Sequence, residues 1–351
     1  MQIGLITGGG TGPELSEVFV HAAEAFASTA GDPVTIVRCP HVFRSFTELH
    51  GLDLEACSQI VARDLAELAA FDRSFYRAGG RLAFRTAINA ETLYALRRDL
   101  EGLKISQAIV GNRRVAFVRD QAQGFYACEG WRGAPVTIEF HGSFSKDKLR
   151  RIYRYAMAHT AEWLGAGAEV WFVYKHHLFA NSLADWAAEI CPAGTILQPG
   201  MAFAKLSAAR QADHDRGILL IAGNEIGDLL QEVFIDQTGF HRETCCARNV
   251  YLHADVEGLV EYQTVHGSAD DIAGQQRVNP VAALRAAAAL FDEARVTSRH
   301  SVAMEKAIEA GYETGLLHSL TRISKPTSQT ARQLVEIAVQ GLSAPVAAAS
   351  R

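Results

Sequence analysis

The chain of 351 residues lacks any apolar run near the roughly 20 residues that a membrane-spanning helix needs. It also lacks an excess of basic residues, because 34 Lys and Arg against 39 Asp and Glu give a formal charge of -5. This balance gives no electrostatic reason to expect nucleic acid or an anionic membrane as a partner. The first residues, Met1 to Ile6, carry no basic side chain and fit a first strand. We therefore expect no signal peptide and a cytoplasmic location.

Cysteine is sparse, and its spacing is irregular apart from one vicinal pair. No spacing fits a zinc site, and in a chain of this size reduced core thiols are the better interpretation. The six cysteines are Cys39, Cys57, Cys128, Cys191, Cys245 and Cys246.

The composition that remains is typical of a soluble globular protein, with 48% hydrophobic and 21% charged residues. An apolar strand pattern at Gln2 to Thr7 is followed by a helical pattern from about Leu15 to Ala30. The continuous apolar run at 217–222 is typical of a buried strand, and a helix is expected to begin near Gly227. This alternation predicts an α/β fold, and the length allows two domains.

The stretch 265–274, V-H-G-S-A-D-D-I-A-G, is the most informative segment, and Asn279 and Pro280 follow it. Its small residues let a ligand approach the backbone closely, and Asp271 offers a carboxylate of the kind that holds ribose hydroxyls. The pattern predicts a dinucleotide-binding loop. A second glycine-rich turn at 8–14 can present backbone N–H groups to an anion, although a plain tight turn is an equally good interpretation.

Polar residues elsewhere suit the chemistry of an acidic substrate. Asp228 and Glu232 lie four residues apart on a predicted helix, so both carboxylates share a face that suits Mg²⁺ or Mn²⁺; a solvated acidic face is the alternative. Lys175 follows an apolar strand and could shuttle a proton, or it is a solvated strand end. Arg97 and Arg119 could bind carboxylates, or they form surface ion pairs.

Several of these segments resemble the motifs of the β-decarboxylating dehydrogenases, the family of isopropylmalate, isocitrate, homoisocitrate and tartrate dehydrogenases. The match at 265–280 is nearly letter for letter. The other matching segments are L-R-R-D-L at 96–100, V-R-D-Q-A-Q-G-F-Y at 118–126, K-H-H-L-F-A-N-S at 175–182 and N-E-I-G-D-L-L-Q-E at 224–232.

The resemblance implies a two-domain isopropylmalate-dehydrogenase-like α/β fold. Residues 1–95 and 251–351 would form a discontinuous cofactor-binding domain. Residues 96–250 would form a central domain for substrate, metal and dimerisation, with an antiparallel arm at Gly133 to Phe140. The resemblance also implies a homodimer with a shared active site.

For the cofactor, the resemblance implies NAD. Asp271 and Ile272 stand where NADP-dependent members carry a lysine and a tyrosine, and a carboxylate would repel a 2′-phosphate. Arg277 is an unmatched charge beside the loop. The residues expected to contact the cofactor are Gly12, His266, Gly267, Ser268, Ala269, Asp271, Ile272 and Asn279, the last at the adenine.

For the substrate, the resemblance implies that Lys175 takes the hydroxyl proton and that Arg97 and Arg119 hold carboxylate. Asp228 would be catalytic as a metal ligand, and Glu232 would complete the pair on Mg²⁺ or Mn²⁺. The residues expected around the substrate are Arg97, Arg119, Leu93, Tyr94 and His177.

The family pattern is broken at several positions. Phe144 replaces the tyrosine that acts as general acid, and phenylalanine cannot deliver a proton. An ungapped count places Phe203 where the partner's metal-binding aspartate is expected. The family has three arginines that bind substrate carboxylates, and the middle one is expected near Lys104 to Ala108. This arginine is missing here, or Lys104 replaces it. The histidines His176, His177 and His214 could shift the ligand set toward nitrogen.

The sequence thus predicts an NAD-dependent oxidoreductase acting on a substituted malate-like 2-hydroxy acid, with or without decarboxylation, in a specialised pathway. Two alternatives stay open. One is a catalytically impaired relative that binds nucleotide as a regulatory protein. The other is a metal-dependent decarboxylase or isomerase without net redox chemistry.

Overall fold

The computed structural model describes residues 1–124, 129–132, 138–209, 211, 215–236, 245–318 and 322–343. Cys128, Tyr126 and His214 lie outside the described residues. The chain divides into two units. The first unit comprises Met1–Leu93, His241–Ala247 and Leu259–Arg351, and the second comprises Tyr94–Phe240 and Arg248–Gly258.

Strands and helices are mixed throughout the described chain, which confirms the expected α/β class. The strands are β1 (Gln2–Gly8), β2 (Thr35–Phe43), β3 (Leu82–Arg85), β4 (Gly102–Val110), β5 (Arg113–Asp120), β6 (Glu129–Arg132), β7 (Ile138–His141), β8 (Glu169–Val173), β9 (Thr195–Leu197), β10 (Ile218–Gly223), β11 (Cys246–Tyr251) and β12 (Val260–Thr264). The α-helices are α1 (Gly12–Ala30), α2 (Phe46–His50), α3 (Leu54–Arg77), α4 (Ala90–Asp99), α5 (Lys146–Leu164), α6 (Ser182–Ile190), α7 (Pro199–Ala209), α8 (Asn224–Asp236), α9 (Val281–Arg295), α10 (Arg299–Glu313) and α11 (Thr327–Ser343). No helix within these described ranges is long and apolar enough to cross a membrane.

The first unit is built on the parallel strand order β2-β1-β3-β12. Helices α1 and α9 contact these strands and each other, as parallel strands require cover from helices. Phe19 of α1 stacks on Phe84 of β3 with ring centroids 4.1 Å apart. Helix α1 begins at Gly12, earlier than expected, because Pro13 fits its first turn; it ends before Gly31, which has a left-handed φ of 70°.

In the second unit, β5, β10, β8 and β9 run parallel to one another, and β4 pairs antiparallel with β5 and β11. Every residue of β10 is buried, as its apolar run predicted. One face of these strands forms a core with α7 and α8, whereas α5 contacts β5 and β10. Because the strands are parallel, their carboxyl ends lie at one edge, where open α/β sheets bind ligands.

The expected antiparallel arm falls partly within the described residues. β6 and β7 pair antiparallel, from Glu129 opposite His141 to Arg132 opposite Ile138. Residues 133–137 between them lie outside the described residues. The part that this arm plays in a dimer stays a prediction.

Two buried carboxyl groups on α3 differ in their hydrogen bonding. Asp64 contacts His41 Nε2 at 2.9 Å and accepts from the Arg44 N–H at 3.2 Å. Asp72 Oδ2 has no hydrogen-bond partner among the described residues. Burial raises the pKa of Asp72 well above its ordinary value, the nearby Glu261 carboxylate raises it further, and Arg85 opposes them.

We expect Asp72→Asn to stabilise the protein near pH 7. A carboxyl whose pKa is raised by folding favours the folded state below its unfolded pKa, and this contribution is lost as the pH rises toward the folded pKa. An amide carries no such pH-dependent cost, so the free energy of unfolding should rise by about 1–2 kcal/mol. Urea unfolding near pH 7 and at acidic pH measures this gain, which should shrink in acid. Asp64→Asn, which alters a carboxylate with partners, should destabilise instead; a loss of stability in both variants would contradict the account.

Candidate functional site

Polar residues follow three parallel strands of the second unit at their carboxyl ends. Gln121 follows β5, Asn224 follows β10, and the side-chain amide of Gln121 donates to Asn224 Oδ1 at 3.0 Å. Tyr174 and Lys175 follow β8. Lys175, one of the predicted substrate residues, therefore lies near the edge where such sheets bind ligands.

Arg119 and Asp228 form an ion pair at this edge. Arg119 is the penultimate residue of β5, its side chain is 1% exposed, and its Nη1 donates to Asp228 Oδ1. Asp228 lies in the first turns of α8, and its side chain is 41% exposed. A Cβ on Gly227 would stand 2.6 Å from Arg119 Cγ, so the glycine makes room for the arginine stem. The sequence predicted both residues for the site but not their pairing.

Lys104 lies opposite Arg119 in the antiparallel register of β4 and β5. Directly opposed residues project to the same face of a sheet. A second cation therefore stands on the face of Arg119, where the family's missing middle arginine was expected.

Glu232 lies one turn after Asp228 on α8 and is half-buried, so the two carboxylates share the predicted face. The described residues contain no group of three or more His, Cys, Asp or Glu that could hold a metal ion. Two carboxylates fit part of the oxygen ligand set of Mg²⁺ or Mn²⁺, and the remaining positions would need water, substrate oxygens or another chain. The predicted helix begins at Asn224, three residues before Gly227.

Two of the three histidines that could join this ligand set, His176 and His177, lie within the described residues. The rings of His176 and His177 lie 4.4 Å apart at the start of a short 3-10 helix, His176–Phe179. His176 Nδ1 is 3.4 Å from Asn181 Oδ1. Neither belongs to a metal-binding group within the described chain. Phe203 lies exposed on α7.

Lys175 stands at the end of β8 with its side chain exposed, directly before the 3-10 helix. No ion pair joins its ammonium group to another described residue. His177 is also exposed. This exposure matches the alternative of a solvated lysine at a strand end, and the proton-shuttle role of Lys175 stays a prediction.

Helix α4 carries three further predicted residues. Leu93 is buried, Tyr94 is half-buried and Arg97 is buried. The stem of Arg97 packs against Gly102, where a Cβ would stand 3.1 Å from Arg97 Cβ and Cγ. Leu93, Leu96 and Leu100, spaced at three and four residues, are all buried.

Phe144 packs edge-on against Tyr174, with ring centroids 6.1 Å apart. The Tyr174 hydroxyl is buried and has no hydrogen-bond partner among the described residues. Burial raises the pKa of Tyr174 well above its ordinary value, and the Asp120 and Glu225 carboxyls raise it further. Burial also raises the pKa of Asp120 to about 6, against the opposing hydrogen bonds from Gln123 and Ala122. Sequence reasoning missed Asp120 and Tyr174, although both adjoin predicted site residues.

The predicted cofactor loop belongs to the first unit and is held against the N-terminal glycine-rich turn. Ser268 O accepts from the Thr11 backbone N–H at 2.8 Å and from Thr11 Oγ1 at 2.9 Å. Gly10 has a φ of 60°, and a Cβ there would lie 2.3 Å from Ser268 O. The two glycine-rich segments that the sequence singled out are therefore parts of one structure.

The adjacent carboxylates of this loop have different environments. Asp270 accepts from Ser45 Oγ at 2.6 Å and from Ser268 Oγ. Burial acts to raise the pKa of Asp270, but hydrogen bonds from Ser268, Ser45 and Thr47 outweigh it and hold the pKa below its ordinary value. Asp271 is exposed, and its backbone carbonyl accepts from Gln275 Nε2 at 2.8 Å. Asp270 thus holds the loop, while the Asp271 carboxylate is accessible to a ligand.

The remaining loop residues lie around the start of α9. Asn279 is buried, and its Oδ1 accepts from the N–H of Val281, the first residue of α9, at 3.0 Å. His266 and Ile272 are half-buried, and Gly267 is exposed. A groove of about 440 Å³ in the same unit is lined mainly by α1 and also by Gln276, Ser328 and Arg332; no residue of 265–274 lines it. Its volume is within the range of small-molecule sites.

Comparison with known proteins supports the same family as the motifs. A family model described as isocitrate/isopropylmalate dehydrogenase matches residues 245–332. The 3-isopropylmalate dehydrogenase of Synechocystis sp. is 35% identical over 100 residues, covering 27% of this chain and 26% of that protein. The 3-isopropylmalate dehydrogenase of Salinibacter ruber is 29% identical over 240 residues, covering 64% and 61%. The chain thus spans about a quarter of the length of the Synechocystis relative in that match.

Two solved structures share the fold over almost the whole chain. Isocitrate dehydrogenase from Methylococcus capsulatus has a TM-score of 0.64 at 19% identity, covering 97% of this chain and 99% of that one. A β-decarboxylating dehydrogenase from Thermococcus kodakarensis has a TM-score of 0.62 at 18% identity, covering 97% and 96%. The fold is therefore that of the isocitrate and isopropylmalate dehydrogenases, as expected. The chain thus shares this fold, and its residues 245–332 resemble the isocitrate/isopropylmalate dehydrogenase family.

Proposed function

We propose that the protein is an NAD-dependent dehydrogenase that oxidises a substituted malate-like 2-hydroxy acid with the help of Mg²⁺ or Mn²⁺. The observation that carries the proposal is the cofactor loop. Gly10 and Thr11 hold its backbone at Ser268, while the Asp271 carboxylate remains exposed. Under this proposal the first unit binds the cofactor, and the second unit binds substrate and metal.

The loop would hold the adenosine half of NAD. Asp271 would accept hydrogen bonds from both ribose hydroxyls, and its charge would repel a 2′-phosphate. His266, Gly267 and Ala269 would lie along the nucleotide, with Asn279 near the adenine and Ile272 beside the ribose. Ser268 and Gly12 would keep the loop and the first turn of α1 in place. When bound, NAD supplies the acceptor for a hydride.

The second unit would bind and deprotonate the substrate. Arg119 and Arg97 would bind its carboxylates as bidentate partners. Lys175 would accept the proton of the hydroxyl group as the carbinol C–H bond breaks. A divalent ion held by Asp228 and Glu232 would polarise the forming carbonyl oxygen.

The residues around the substrate's variable group argue for an unusual substrate. Leu93, Tyr94 and His177 would contact that group and depart from the usual members of the family. Phe144 cannot protonate the carbon that loses CO₂, so decarboxylation would require water or another acid. We therefore propose an oxo acid as the first product, in a specialised pathway. The shared homodimeric site that the family pattern implies is part of the same proposal.

Turnover with a panel of hydroxy acids tests this function. The purified protein is incubated with Mn²⁺, NAD and malate, tartrate, isocitrate or 3-isopropylmalate, and the absorbance of the reduced nicotinamide is followed. A substrate deuterated at the carbinol carbon should transfer its label to the cofactor. CO₂ release or isomerisation that proceeds equally without NAD would contradict the proposal and support a non-redox enzyme.

Asp271→Asn should shift the cofactor preference toward NADP. Loss of the charged acceptor should weaken NAD binding by about tenfold, the equivalent of roughly 1.4 kcal/mol, while removal of the repulsion should strengthen NADP binding. Calorimetric titration of both cofactors measures the ratio of their Kd values. Asp270→Asn is the matched control: because Asp270 holds the loop, that change should weaken both cofactors alike. An unchanged ratio in Asp271→Asn would show that this carboxylate does not face the ribose.

A further inference from the structure

The ion pair between Arg119 and Asp228 joins two residues to which the proposed function gives different ligands. Arg119 is assigned to a substrate carboxylate and Asp228 to the divalent ion, yet the two side chains bind each other. We propose that Arg119 competes with the divalent ion for Asp228, so that an anion bound to Arg119 and a metal ion bound to Asp228 strengthen each other's binding. This inference rests on the proposed function of the site.

The burial of Arg119 makes a counter-ion necessary. Its side chain is 1% exposed, so water cannot solvate the guanidinium as it would at the surface. A buried charge is stable only when it is paired and hydrogen-bonded. Asp228 supplies a carboxylate for this purpose in the protein without ligands.

The exposure of Asp228 makes the pair open to exchange. Its side chain is 41% exposed, so an ion or a substrate can reach the carboxylate from solvent. Arg119 is less free to move, because its stem passes the space where a Cβ of Gly227 would stand. Exchange of partners by Asp228 is therefore easier than departure of Arg119.

A metal ion and the guanidinium compete because both are cations drawn to one small carboxylate. Their mutual repulsion is strong in a partly buried site, where charges are poorly screened. A substrate carboxylate that pairs with Arg119 in bidentate fashion removes this conflict and frees Asp228. Thermodynamic linkage then requires that the metal ion strengthen anion binding by the same factor, typically about 5–150-fold for coupled sites.

Mn²⁺ binding to the full chain tests the coupling without any turnover. Calorimetry or electron paramagnetic resonance gives the Kd of Mn²⁺ with and without succinate, a dicarboxylate without the hydroxyl that a hydroxy acid would use to chelate the ion. We expect succinate to tighten Mn²⁺ binding by about fivefold or more. Succinate without effect on the Mn²⁺ affinity would overturn the proposal.

Arg119→Met separates competition from a merely structural role, because competition predicts tighter Mn²⁺ binding in the variant and a structural role predicts weaker binding. The methionine fills the space of the arginine stem but leaves Asp228 without its cation. Mn²⁺ should then bind more tightly in the absence of succinate, and succinate should no longer matter. Weaker or unchanged Mn²⁺ binding in a variant with a native circular dichroism spectrum would overturn the proposal.

Lys104→Met is the matched control for charge. Lys104 lies opposite Arg119 in the register of β4 and β5, so this change removes a neighbouring cation without breaking the ion pair. The proposal expects a smaller gain in Mn²⁺ affinity than in Arg119→Met. An equal gain would assign the effect to the general field of the site and contradict specific competition.

Asp228→Asn tests the other half of the linkage even where Arg119→Met fails to fold. The amide no longer neutralises Arg119, so succinate should bind more tightly while Mn²⁺ binding is lost. Weaker succinate binding would contradict the proposal. These affinities are measured without NAD reduction. Coupled binding of Mn²⁺ and succinate without turnover would refute only the proposed function. Turnover without coupled binding would refute only this inference.

Discussion

Lys175→Met is expected to lower kcat for NAD reduction by about 10²–10⁴-fold, the usual contribution of a positioned acid or base. The methionine side chain keeps the length of the lysine stem but cannot accept the hydroxyl proton. Because the side chain is exposed at the end of β8, the change should leave the fold intact. Steady-state kinetics with the best substrate of the panel should show a loss in kcat with little change in KM.

The control for this variant is Lys306→Met on α10, which removes an exposed lysine far along the chain from the proposed site. Its kinetics should match those of the unchanged protein. A Lys175→Met enzyme with full kcat and a raised KM would show that this amine binds the substrate and that another group takes the proton.

Gly10→Ala should destabilise the protein by about 2–4 kcal/mol and abolish tight cofactor binding. The cost has two parts. The left-handed φ of 60° costs a residue with a side chain about 1 kcal/mol of stability. The collision of the new Cβ with the Ser268 carbonyl oxygen, 2.3 Å away, adds about 1–3 kcal/mol. The Ser268 carbonyl is a backbone group, so relief of the collision requires movement of the cofactor loop. Urea unfolding and calorimetric titration of NAD measure the two effects.

Gly31→Ala separates the collision from the backbone strain. Gly31 has a φ of 70°, similar to that of Gly10, but nothing lies within 4 Å of its missing Cβ. Its cost should therefore be about 1 kcal/mol, with NAD affinity unchanged. Equal losses of stability and equal NAD binding in both variants would show that the contact between Gly10 and Ser268 does not organise the loop.

The sequence predicted those parts of the site that depend on local spacing. Asp228 and Glu232 share a face of α8 because helical periodicity places i and i+4 together. Lys175 lies two residues after β8, as the apolar run before it predicted. The α/β class followed from the same alternation of patterns.

Contacts over long sequence distances could not be predicted in this way. Arg119 and Asp228 are separated by 109 positions, and only the parallel pairing of β5 with β10 brings α8 over the arginine. Asp270 and Asp271 are identical neighbours, and the Ser45 hydroxyl, 225 positions from Asp270, distinguishes them. The raised pKa of Asp120 likewise depends on burial, which no local pattern specifies.

The most direct test of the central claim is calorimetric titration of NAD and of NADP into the full chain in the presence of Mn²⁺. The exposed Asp271 carboxylate on a loop held by Gly10 and Thr11 predicts clear binding of NAD and much weaker binding of NADP. Binding of neither nucleotide would contradict the account, because the loop would then have kept its structure without its ligand.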